Sequence, residues 1–417
     1  MRVAMLAYRG TMRSGGLGIY IRDLTRQLAQ QGCEVELIVG PPYPDPMPWL
    51  HETRVPNESY WARRFTASWA APLAEGAPFE IFRPLNFYEL AATRFGFLPE
   101  PFAFSLRAAR ILVQRMRAGA RYDLVHDVQT LGYGLLLLRA LGLPTVATVH
   151  HPLTIDRRSS LLRDRTFKEM RGTLTFYPVR TQARVARRID AMITSSEASI
   201  GEIESGFGVP RERIHNVLNG VELPPPGRVR ERPASSELLF IGRAYDPNKG
   251  FVDLLTALTR LPPEVTLRVC DIPPESKTAI AHQLSEQKLE SRVQFVGKIP
   301  RADLEHALAT ASAVVVPSLF EGFGLPAVEA LAAGTPFVAA RAGALPEVIA
   351  RAGVGTLVQP GDPADLARGI EHTFRNWQSL QRDAVAARPR IEAAFGWAEV
   401  ATRTRDVYDH VLRHRQR

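Results

Sequence analysis

What most constrains this chain is an alternation running from end to end. Short, continuously apolar stretches are each followed by a segment with helical period. Arg2–Tyr8, Glu34–Gly40, Asp123–Asp127, Thr145–His150 and Ala191–Ser196 read as strands in the first half. Glu237–Arg243, Val265–Asp271, Val293–Gly297, Ala313–Ser318, Pro336–Ala340 and Gly355–Pro360 do so in the second. Between them, Ile21, Leu24 and Leu28, and later Phe251, Leu254, Leu255 and Leu258, recur at helical spacing. Strands that are apolar throughout are buried on both faces, which means parallel sheet covered by helices. Right-handed crossovers then make each half a doubly wound α/β layer structure.

The prolines within Leu223–Ser235 can continue neither a helix nor a central strand. This segment is the expected linker between an N-terminal domain, residues 1–222, and a C-terminal domain, residues 236–396. The helix-like tail 397–417 is expected to pack back towards the N-terminal domain. One stretch, Pro41–Pro101, resists the pattern. It is rich in proline and holds Trp49, Trp61, Trp69, Phe79, Phe82, Phe87, Tyr88, Phe95 and Phe97. It reads as an irregular subdomain burying its own aromatics, in preference to a surface for a flat or apolar partner.

The formal net charge is +9, spread along the chain. That favours an Arg-rich solvated surface and small anionic ligands over nucleic acid. Cys33 and Cys270 lack metal-ligand spacing and read as free thiols in a reducing cytoplasm. The start, Met1–Gly10, is too soon interrupted to be a signal peptide. The most apolar stretch, Leu131–Val149, is broken by Arg139 and Pro144, so it is not a membrane span. Ser105–Arg121 mixes apolar residues with five arginines. It reads as a core-packed helix with a solvated basic face, leaving peripheral contact with the inner membrane face as the less favoured alternative.

Four groups of residues could carry chemistry. Pro317–Ala340 joins a strand, a loop with Gly322 and Gly324, and a helix opened by Pro326 and closed by Gly334. A helix start of this kind suits an anion, and Glu321 and Glu329 suit hydroxyls. Gly15, Gly16 and Gly18 follow the first strand and open the first helix, again where backbone amides can meet a phosphate. Gly242, Arg243 and Lys249 place two cations at a strand's carboxyl end, where open α/β sheets bind ligands. His126 and the doublet His150–His151 end neighbouring strands and could line a cleft. No third ligand stands near the histidines, so no metal site is expected. Paired carboxylates could also serve glycoside hydrolysis, but Glu329 falls within a helix and the cations indicate an anionic ligand. The chain has no Asp-x-Asp to hold a diphosphate through a metal.

Taken in order, these motifs resemble the retaining glycosyltransferases of family four. The likeness rests on EGFGLPxxEA with its following AxGTP, the GGLGxY loop, NGVE at Asn219–Glu222, the GR…KG pair and GALPEVI around Glu347. It covers most of the chain and implies a GT-B fold, two Rossmann-like domains facing across a cleft. It implies a nucleoside-diphosphate sugar as donor, no cofactor, and a glycan, lipid or small-molecule acceptor. Arg243 and Lys249 would hold the diphosphate. Glu321 and the amides of Gly322, Phe323, Gly324 and Leu325 would meet the sugar and phosphates. Glu329 would bind the ribose, and Gly297, Lys298 and Ile299 would line the base pocket. Gly16 would lie near the phosphates, and His150, with His151 as competitor, near the reacting carbon. A sugar-nucleotide epimerase, a glycan phosphorylase and a non-catalytic basic binding protein are the competing readings.

Overall fold

The computed structural model describes residues 1–12, 16–55, 83–150, 152–164, 166–223, 229–275 and 278–415. Gly15, His151 and Pro224–Pro226 of the expected linker lie outside these, as do Trp61, Trp69, Phe79 and Phe82. The chain forms two compact units. The first comprises Met1–Ser195, Ser199–Val217 and Ala401–Arg417; the second comprises Ser196–Ala198 and Leu218–Val400.

The first unit holds β1 (Arg2–Ala7), β2 (Glu34–Val39), β3 (His51–Arg54), β4 (Leu124–Val128), β5 (Thr145–Val149), β6 (Ala191–Thr194) and β7 (Ile214–Asn216). They pair in parallel in the order β3-β2-β1-β4-β5-β6-β7. This is the doubly wound order, with its switch point between β1 and β4. β4, β5 and β6 are buried along their whole length, as their unbroken apolar character requires. Ile21, Leu24 and Leu28 turn inward from the helix Gly16–Gln30.

The irregular stretch contains more regular structure than its sequence suggests. β3 lies within it, as does the helix Pro84–Arg94. The basic segment belongs to a helix that starts and stops earlier than expected, at Glu100–Arg117. It stops because Gly119 takes φ +97 and the N–H of Ala120 turns back to the carbonyl of Arg115 at 2.9 Å. Its face with Phe104, Ala108 and Leu112 is core, and Arg107 is held by Glu89 and Asn86. Among the described residues, no helix is long and apolar enough to cross a membrane.

The second unit holds β8 (Ser236–Ile241), β9 (Val265–Cys270), β10 (Val293–Phe295), β11 (Ala313–Val316), β12 (Phe337–Ala340) and β13 (Thr356–Val358). Its order, β10-β9-β8-β11-β12-β13, is again parallel and doubly wound. One core layer gathers Phe251, Leu254 and Leu258 under one face of the sheet. Another packs Phe323, Leu331 and Phe395 on the opposite face. Cys33 and Cys270 are free thiols; Cys33 is buried, whereas Cys270 is only half-buried.

Candidate active site

In the second unit, β8 and β11 are neighbours, so the loops leaving their carboxyl ends lie side by side. After β8 the chain passes Gly242 and the exposed Arg243 and makes a short turn over Pro247–Lys249. Asp246 caps that turn by accepting the N–H of Asn248 at 3.0 Å. Gly250 then takes φ +64, and a Cβ there would sit 2.0 Å from the carbonyl oxygen of Pro317. The Asn248 carbonyl in turn accepts the N–H of Leu319 at 2.7 Å. Two loops far apart in sequence are thus fastened by backbone.

This junction brings together two residues singled out by sequence. Lys249 Nζ lies 2.8 Å from Glu321 Oε2, and the Ser318 hydroxyl donates to the same oxygen at 3.0 Å. The carbonyl of Glu321 accepts the N–H of Ala344 at 2.9 Å. Gly343, at φ +52, makes that approach possible: a Cβ there would fall 2.0 Å from the Glu321 carbonyl oxygen. Gly324, at φ +89, caps the helix Leu325–Ala332 and lies under Leu345. Gly334 closes that helix at φ +69, with the Thr335 N–H bonded to the Ala330 carbonyl. Gly322 is buried, its carbonyl accepting from the Ser196 hydroxyl at 2.9 Å.

Glu329 sits one turn into this helix and is 6% exposed. Burial raises its pKa, and Arg301, whose guanidinium donates to Oε1 at 2.6 Å, opposes the rise. Sequence offered no signal for that pairing, because the partners are 28 positions apart. Asp271, at the end of β9, was also missed. Its carboxylate accepts the Ala244 N–H at 2.8 Å and its carbonyl accepts the Gly297 N–H at 3.0 Å, fixing the start of both loops. Gly297 has φ +73, Lys298 is exposed, and Ile299 is half-buried against the core.

In the first unit, His150 follows β5. Its N–H donates to Gln129 Oε1 at 2.8 Å, and its ring meets Tyr20 edge-on, 4.3 Å between centroids. His126 is a correction. It is fully buried in β4, with Nδ1 2.6 Å from the Tyr408 hydroxyl and Nε2 2.7 Å from Thr148 Oγ1. Burial, helped by His150, pushes its pKa down to about 3. A neutral imidazole with both nitrogens engaged belongs to the core and lines no cleft. Two motif glycines likewise serve packing. A Cβ on Gly18 would lie 2.0 Å from the Thr11 carbonyl oxygen, and one on Gly220, beside the half-buried Asn219, 2.2 Å from the Trp397 ring.

Known proteins carry the same pattern. Residues 14–223 match the model of Glycosyltransferase Family 4, and residues 228–389 that of Glycosyl transferases group 1. An MMP α-(1→4)-mannosyltransferase of Mycolicibacterium hassiacum is 38% identical over 99% of this chain and 98% of its own. A D-inositol 3-phosphate glycosyltransferase of Streptomyces scabiei is 28% identical over 100% of this chain and 92% of its own. Sucrose-phosphate synthase from Thermosynechococcus elongatus superposes with a TM-score of 0.70 at 21% identity, over 99% of each chain. WaaG, a glycosyltransferase involved in lipopolysaccharide biosynthesis, does so at 0.64 and 14% identity, over 98% of this chain and 99% of its own. With both halves matched and a relative aligned from end to end, the chain is a glycosyltransferase of family 4, group 1, on the GT-B fold.

Proposed function

We propose that this glycosyltransferase moves a hexose from a nucleoside-diphosphate sugar to an acceptor hydroxyl, with retention of anomeric configuration and without a metal. The observation that carries the reading is the junction of Lys249 with Glu321 at the start of the helix Leu325–Ala332. A nucleoside diphosphate leaves readily once its charge is offset, and a lysine, an arginine and a helix N-terminus supply positive potential there. Arg243 and Lys249 take the diphosphate, and Glu321 takes sugar hydroxyls. Glu321 is a poor candidate for a nucleophile, because one oxygen already accepts from both Lys249 and Ser318. With Glu321 so engaged, the leaving phosphate takes the acceptor's proton on the face from which it departs. Glu329 holds the ribose through the oxygen that Arg301 does not engage, and Gly297–Ile299 receive the base. The relative aligned end to end makes mannosyl transfer in α-(1→4) linkage the first activity to test.

A thermal-shift panel of nucleotide sugars tests donor binding. Ligand at a hundred times its Kd stabilises the folded state by about 2.7 kcal/mol. Lys249→Ala and Arg243→Ala should each lower turnover by roughly 10²-fold while melting near the wild type. Transfer in the presence of EDTA tests metal independence, and incubation without acceptor distinguishes an epimerase. Full transfer activity in both alanine variants would refute the assignment.

A further inference from the structure

Two residues of the second unit have no part in the function proposed above: Ser196, and Glu347 of the GALPEVI motif. Ser196–Ala198 follow β6 in the chain but belong to the second unit. The fully buried Ser196 donates its hydroxyl to the Gly322 carbonyl at 2.9 Å. The next residue is held as well, since the Glu197 N–H donates to Glu347 Oε2 at 2.9 Å. Arg351 in turn donates to the other oxygen of Glu347 at 3.2 Å. A motif glutamate thus anchors the segment that presents Ser196.

The bond from Ser196 governs the other side of the same peptide. The Gly322–Phe323 link is trans and planar, so its N–H points away from its C=O. With the carbonyl turned to Ser196, the Phe323 N–H faces the opposite way. A glycine at 322 leaves this plane free to rotate, having no side chain to lodge. Two anchors remove that freedom. One is the Ser196 hydroxyl. The other is the Phe323 ring, packed against Phe395 with 6.0 Å between centroids. Phe323 is 5% exposed, yet among the described residues nothing accepts its N–H. A backbone donor left alone in so buried a residue is rare and costly, and it suits an incoming acceptor. A hydrogen bond received at the carbonyl also polarises the peptide and makes that N–H a stronger donor.

The surroundings favour a charged acceptor. Phe323 stands just before the helix Leu325–Ala332, whose cap, Gly324, has no side chain to accept from the first turn. Positive potential collects at such a start, and Lys249 Nζ lies 2.8 Å from Glu321 Oε2, two residues earlier. A phosphate oxygen gains most from a donor placed in this way.

We propose that Ser196 is a positioning residue for the donor: its hydroxyl aims and polarises the Phe323 N–H towards a phosphate oxygen of the nucleoside diphosphate. This role rests on the transferase reading above. The test is titration calorimetry on the full chain with GDP, UDP and ADP as probes. The tightest of the three should bind Ser196→Ala at least fivefold more weakly than the unsubstituted protein. Ser196→Cys, which keeps a weak donor, should fall between. Thr373→Val is the control. It loses another buried hydroxyl-to-carbonyl bond of the second unit, from Thr373 to Gly369 at 2.9 Å, and should bind within twofold of the unsubstituted protein. In protein carrying ¹³C-carbonyl glycine and ¹⁵N-phenylalanine, nucleotide should move the Phe323 amide signal, and move it less in Ser196→Ala. That signal is read first on the unsubstituted protein, so it decides even where Ser196→Ala does not fold. Nucleotide binding by Ser196→Ala within twofold of the unsubstituted protein, or a Phe323 signal that saturating nucleotide leaves in place, would overturn the proposal. Binding of none of the three nucleotides to the unsubstituted protein would instead overturn the donor reading, and this role with it.

Discussion

Gly343→Ala is the most direct probe of how the Glu321 loop, the proposed donor loop, is held. Gly343 has φ +52, and its added Cβ would lie 2.0 Å from the oxygen and 2.8 Å from the nitrogen of Glu321. The left-handed conformation costs an alanine about 1–2 kcal/mol. A carbon and a carbonyl oxygen need roughly 3.3 Å, so Glu321 must retreat by about 1.3 Å. A misplacement of about 1 Å at a reacting centre costs on the order of 10²-fold. Turnover should therefore fall about a hundredfold, with a melting decrease of about 2–8 °C from the conformational cost. Gly353→Ala is the matched control. It has φ +73, but its Cβ would meet only the end of the Arg390 side chain, at 3.3 Å. Both variants carry backbone strain; only the first displaces Glu321. Turnover in Gly343→Ala within twofold of that in Gly353→Ala would refute the role given to this contact.

His126 should make the first unit acid-labile. Its pKa falls from 6.5 in the unfolded chain to about 3 in the folded one, so its contribution is whole above pH 6.5 and lost as pH drops towards 3. About 3 kcal/mol should go between pH 7 and pH 4. Asp127, raised to about 6 by burial, acts in the opposite sense between pH 4 and 6, but it is common to both proteins in a comparison with His126→Gln. The variant should lose less stability between pH 7 and 4 by hydrogen exchange of β4, and equal losses would exclude this account. Arg301→Met should leave Glu329 buried without its cation and cost about 1–3 kcal/mol at neutral pH. Because burial already raises the Glu329 pKa, melting of the variant should fall more steeply than wild type as pH rises from 5 to 8; parallel pH profiles would contradict this.

The central strands were legible because burial on both faces leaves an unbroken apolar run, as in β4 and β11. β3, reading His-Glu-Thr-Arg, is a partly exposed edge strand with no such run, and β7 has only three residues. Glycines marked turns and close backbone approaches well, since these leave one residue type. Whether a glycine serves a ligand or a packing contact is a matter of its neighbour in space. Gly343 and Gly18 look alike in sequence, yet one abuts Glu321 and the other Thr11. His126 misled for the same reason: its partners, Thr148 and Tyr408, are 22 and 282 positions away.

The fastening between the Lys249 turn and the Glu321 loop bears on how such an enzyme can diversify. Asn248 and Leu319 meet through main-chain atoms, so side-chain changes at those two positions leave the joint in place, whereas Gly250, against the Pro317 carbonyl, admits no side chain. The charge pair is inherited as one part and cannot be retuned at one end alone. Gly297–Ile299 has a different freedom: a single N–H to Asp271 anchors its start, and Lys298 is exposed. If that loop receives the base as proposed, selection for a new nucleotide, or a directed library seeking one, has room to work there while the Lys249–Glu321 junction stays intact.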